Sequence, residues 1–185
     1  MNKRNTFKTG FAICAILLVL GAAAGAAAAT LLPPQIVESL AVRGAEGAFG
    51  TRFFASLISV GKFHAAALFF AFSMLGAAAI PAISAVRGFL LSFAMTSLVR
   101  FCGSAAVLPT LGLFAPELLF AIPCLLAISA VSFEASLKLA KRANPYDAKF
   151  AKCALATLGV VIIAALADAA LSPSMLSAIS AYFPT

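Results

Sequence analysis

The side chains able to do acid–base, nucleophilic or metal chemistry are few: six carboxylates, one histidine and four cysteines in 185 residues. Glu38, Glu46, Glu117, Glu134, Asp147 and Asp168 stand singly. None forms the carboxylate pair that general acid–base work or intramembrane aspartyl proteolysis would need. His64 alone cannot supply a histidine-based metal cluster, and Cys14, Cys102, Cys124 and Cys153 contain no CxxC pair. They lie in or beside apolar runs and read as reduced thiols used as small hydrophobes. The chain has no GxSxG, HExxH, phosphate loop or Ser–His–Asp set. The expectation is therefore no catalytic residue, no cofactor and no metal site.

What remains is charge and shape inside apolar segments. Arg100 and Glu117 stand near or within apolar runs. A charge at a bilayer centre costs roughly 2.5–3.5 kcal/mol on insertion scales, so such residues pair, line water or reach the interface. A turn near Pro109 would set the two eight or nine positions either side of it, at similar depth, and so able to form an ion pair. The alternative is that both snorkel to the outer interface. Pro116 and Pro123 flank 117–122. Each proline removes a backbone donor and frees a carbonyl about one turn earlier, which gives a broken helix. Breaks of this kind form substrate sites in transporters and are plain kinks elsewhere. Gly21 and Gly25 form a GxxxG spacing followed by alanines at 26–29. Residues four apart share a helix face, and without side chains there another helix can approach closely. That helix belongs either to this chain or to a partner, a second copy included.

The elements that must position these residues are membrane spans. The chain is 63% hydrophobic and 10% charged, with a mean hydropathy of +1.09. A soluble domain is about half apolar and a quarter charged, and a chain of this size has too much surface to cover with so few charges. Long unbroken Ala-, Leu- and Phe-rich runs exclude the short alternating segments of a membrane barrel. The expected fold is all-α, a single polytopic membrane bundle with about five transmembrane helices. The first span is 11–32, closed by Pro33 and Pro34 and read as an uncleaved anchor because it is long for a signal peptide. An extracytoplasmic segment, 33–62, follows; within it Phe53, Phe54, Leu57 and Ile58 form either a surface helix or the early start of the next span. Central spans are expected at 63–86, 89–107 and 113–131, with a tight turn at Arg87-Gly88. A basic cytoplasmic loop, 132–152, precedes the last span, 153–170. A weak echo between 79–86 and 121–131 reads either as repeated architecture or as the similarity that chance provides in a chain so rich in Ala, Ile and Ser.

The formal charge of +7 would suit nucleic acid, but the bases cluster at the ends of apolar runs and read as topology signals, so no nucleic-acid partner is expected. Lys3, Arg4, Lys8, Arg87, Lys138, Lys141, Arg142, Lys149 and Lys152 fall on one side of this arrangement, against Arg43, Arg52, Lys62 and Arg100 on the other. Nine against four favours a cytoplasmic N-terminus and an outside C-terminus.

Residues 70–137 resemble the stage II sporulation protein M family. The elements that carry the likeness are Leu75-Gly76, Ile80-Pro81, Arg87-Gly88-Phe89, Phe93, Cys102-Gly103 and Pro116-Glu117-Leu118-Leu119-Phe120-Ala121-Ile122-Pro123. The family often has Pro-Gln-Asn where this chain has Pro116-Glu117. In layout the likeness covers most of the chain; its specific motifs cover about a third. What it implies is a non-enzymatic scaffold of forespore engulfment, placed in the septal or engulfing membrane. Its implied partners are membrane lipid and two peptidoglycan hydrolases, a lytic transglycosylase and an amidase/endopeptidase, that it anchors. The alternative from another class is a small transporter or permease subunit using Arg100, Glu117 and the broken span.

Overall fold

Backbone groups in lipid must be satisfied within their own segment, so apolar runs of this length become helices. The computed structural model describes residues 3–31, 49–142 and 148–180. Helix α1 covers Lys3–Leu31, α2 Phe49–Ala71, α3 Gly76–Cys102, α4 Val107–Pro116, α5 Ile122–Ala140 and α6 Ala148–Ser180. A 3-10 turn, Ser104–Ala106, opens α4, and a π-helical turn, Glu117–Ala121, joins α4 to α5. Among the described residues five stretches are long and apolar enough to cross a membrane: Thr6–Leu31, Phe49–Ala71, Gly76–Cys102, Ser104–Ala140 and Phe150–Ile179. The protein is thus an all-helical, multi-pass membrane protein.

Several boundaries differ from the sequence expectation. The tight turn expected at Arg87-Gly88 is absent; both residues lie inside α3. The chain reverses instead at 72–75, where Ser73 organises the turn. Its hydroxyl accepts the Leu75 N–H at 3.2 Å. Its carbonyl accepts the Gly76 N–H at 3.1 Å and the Ser136 hydroxyl at 2.8 Å. Gly76 is required there because a β-carbon would overlap the Phe70 carbonyl. The spans drawn at 63–86 and 89–107 are therefore Phe49–Ala71 and Gly76–Cys102, and the residues around Phe53 are the early start of α2, not a separate surface helix. No interruption occurs at Pro109. It occupies the third position of α4, where its missing N–H would have had no partner within that helix. The span drawn at 113–131 runs Ser104–Ala140, and the one drawn at 153–170 lies within α6, which continues through Pro173 to Ser180. Of the expected outer segment only 49–62, and of the basic loop only 132–142 and 148–152, are described; the rest of both lies outside the described residues.

Helices α1 and α3 pack backbone to backbone. Gly21 faces the Ala85 carbonyl, Gly25 the Phe89 carbonyl and Gly88 the Leu18 carbonyl, and a β-carbon at any of the three would overlap the opposing main chain. The GxxxG face is thus occupied from within the chain. Helix α5 touches α1, α2, α3 and α6, and its residues 128–136 are buried without a break. Gly10 of α1 seats on the Phe133 ring. Phe7, Ala71, Val131, Ala135 and Phe150 close the same end of the bundle. By contrast, Gly159 in α6 is exposed and faces open space. Gly159→Ala is expected to stabilise the protein by about 0.5–1 kcal/mol, because glycine loses the most backbone freedom in a helix; thermal unfolding in mild detergent measures it.

Candidate functional site, a charged cluster within the bundle

The prolines prepare the site. Pro116 has no N–H to give, and the Glu117 N–H bonds the Phe114 carbonyl, only three residues back. Pro123, with no N–H, leaves the Leu119 carbonyl without its usual partner. Between them the Ile122 N–H reaches back five residues to the Glu117 carbonyl, which is the hydrogen bond of a π turn. The rod is thereby loosened for one turn, and Glu117 stands at its start.

Opposite Glu117 lies Arg87 of α3, and the two form an ion pair with side chains 8% exposed for the arginine and 19% for the glutamate. The Arg87 guanidinium also lies 4.6 Å from the ring centroid of Phe63 on α2, where the negative face of the ring attracts a cation. Next to Phe63 on α2, His64 is buried near Arg87 and the backbone of Ala121 in the π turn. Its Nδ1 lies 3.0 Å from the Val60 carbonyl; a carbonyl only accepts, so Nδ1 carries the proton. Three separate helical segments thus converge on one desolvated pair of charges. At about 1.5 Å per residue, Arg87 is roughly 16 Å along α3 from the 72–75 turn, near mid-bilayer.

The expected Arg100–Glu117 pair does not form. The chain reverses at Gly103, whose φ of 86° suits glycine. Glu117 is fourteen residues beyond this point and Arg87 sixteen before it, so these two share a depth; Arg100 is only three before it. Arg100 and Glu117 therefore differ in depth by about 16 Å. Arg100 is exposed at the end of α3 and donates to the Ala29 carbonyl of α1, much as the interfacial alternative required.

Of the other residues singled out, Pro81 is buried in the second turn of α3, and Pro123 is exposed in the first turn of α5. Gly88 and Phe89 belong to the contact with α1. Sequence reading missed Phe63, His64 and the membrane depth of Arg87. The available signal was length: Phe49–Ala71 and Gly76–Cys102, 23 and 27 residues, are each one membrane thickness once Arg87 is allowed inside. A second pair, Glu134 with Lys138 at 2.9 Å, lies one turn apart on α5. Asp168 of α6 faces Ser56 of α2. Among the described residues no three His, Cys, Asp or Glu side chains converge as metal ligands would. Comparison of the chain with known protein families, curated proteins and solved structures finds no match.

Proposed function

We propose that this chain is a non-enzymatic membrane scaffold that anchors cell-wall hydrolases at the septum during forespore engulfment. One observation supports the reading above the others. The residues that carry the resemblance to the stage II sporulation protein M family are those that tie the bundle together. Gly88 and Phe89 seat α1, Pro116 and Pro123 bracket the π turn, and Arg87 pairs with Glu117, the position at which this chain departs from the family's Pro-Gln-Asn. A motif that neutralises its own charges and locks helices suits a platform for other proteins, with the lytic transglycosylase and the amidase/endopeptidase supplying the chemistry. The proposed orientation keeps the N-terminus inside. With Lys62 and Arg87 within spans, the inner side holds Lys3, Arg4, Lys8, Lys138, Lys141, Arg142, Lys149 and Lys152, against Arg43, Arg52 and Arg100 outside. Deleting the gene is expected to stall cells at septal wall thinning, with re-expression restoring engulfment. Forespores that engulf normally after deletion would refute the scaffold.

The second reading, a small transporter or permease subunit, draws on the π turn itself. A helix broken at mid-depth beside Glu117, Arg87 and His64 has the form of an intramembrane substrate site. On this reading Arg87→Met and Glu117→Gln each abolish solute uptake in proteoliposomes while Arg100→Ala leaves it intact; equal uptake by all three variants and the native protein dismisses it.

A further inference from the structure

Lys62 lies on the outward side of its helix, whereas the other charges far from their span ends, Arg87 and Glu117, turn inward. On α2 the buried residues are Ser56, Val60, His64, Ala67 and Ala71. The opposite face carries Phe54, Ile58 and Phe69, exposed by 61%, 66% and 73%. Lys62 is exposed within that face, one helical turn beyond Ile58. Nine residues separate it from the end of α2 at Ala71 and thirteen from the start at Phe49, so it sits about 14 Å from one end and about 20 Å from the other. Its ammonium lies over the Phe63 ring, 5.2 Å from the centroid, and that ring also carries the Arg87 guanidinium, so one neutral ring serves two cations and supplies Lys62 with no counter-charge. An ammonium facing lipid at this depth is costly unless another charged group meets it.

No carboxylate among the described residues is placed to do so. Glu117 pairs with Arg87, Glu134 with Lys138, and Asp168 turns toward Ser56. A second copy packing α2 against α2 on this face would bring the two Lys62 ammoniums together, since α2 contains no acidic residue. Ala55 and Ser59, both exposed and one turn apart beside Lys62, leave room for another helix to come close. We infer that the outer face of α2 docks the transmembrane helix of a different membrane protein, one that carries an Asp or Glu near mid-bilayer to pair with Lys62. This rests on the membrane placement of α2 and on neither reading of the function.

The test uses the full-length protein, fused to a fluorophore and reconstituted in zwitterionic vesicles. The probe is a labelled span-length Leu/Ala peptide with one central Glu, or its Gln counterpart. Energy transfer is expected to show the Glu peptide associating roughly tenfold more strongly than the Gln peptide. Lys62→Met should remove that preference, and Lys62→Glu should transfer it to a peptide with a central Lys. Thermal unfolding of both variants near the native midpoint shows that the fold is kept. Equal association of Glu and Gln peptides would overturn the proposal in favour of an ammonium that has climbed to the headgroups. Energy transfer between copies of the protein that Lys62→Met abolishes would overturn it in favour of self-association.

Discussion

Glu117→Leu alone is expected to destabilise the bundle by about 3–5 kcal/mol, and the double variant Arg87→Met, Glu117→Leu to recover most of that loss. The single change strands a guanidinium that is 8% exposed in a region with no water to solvate it, and removing one partner of a buried pair carries a penalty of that size. Phe63 softens the penalty through its ring without cancelling a full charge. The double variant removes both desolvation costs and leaves apolar side chains of similar length, a replacement that is often neutral or better. Unfolding in a graded mixture of mild and denaturing detergent, measured on all four members of the cycle, gives the coupling directly. Additive losses from the two single substitutions would mean that the pair does not act as a unit. The cycle also bears on function. Should the double variant fold as well as the native protein and still support engulfment, the pair holds the structure and no substrate; should it fold and lose solute uptake, the permease reading gains.

Gly88→Val is expected to be at least as damaging, and no compensating change on α1 is expected to rescue it. A β-carbon at Gly88 would overlap the Leu18 carbonyl, and those at Gly21 and Gly25 the Ala85 and Phe89 carbonyls. Main-chain atoms cannot rotate out of the way as a side chain can, so the helices must separate along their length. Overpacking a core costs about 1–3 kcal/mol where side chains absorb it; here the loss extends to the whole α1–α3 contact, so the variant should fail to accumulate as folded protein. Gly50→Val, at a glycine with nothing nearby, serves as the matched control. Monodispersity in detergent after purification distinguishes them. A folded, monodisperse Gly88→Val protein would show that the two helices are not held in backbone contact.

Lipid as the solvent of the apolar runs was legible from composition alone. So were helix as the spanning element, about five spans and the close-packing face at Gly21 and Gly25. These follow from local rules, since hydrophobic length, proline and small-residue spacing act within one segment. The places where the chain reverses were not legible. An arginine followed by glycine looks like a turn until a glutamate thirty residues later is known to neutralise it, and 72–75 looks like continuous span until Ser136 is known to cap it from α5. The identity of the Glu117 partner was inaccessible for the same reason. It depends on the depth at which each helix crosses, which the reversal at Gly103 sets and which no single segment encodes. The sequence by itself thus determined the solvent, the secondary structure and the need for each buried charge to find a partner; tertiary packing alone decided which partner, because equal depth in the bilayer is a property of two helices together.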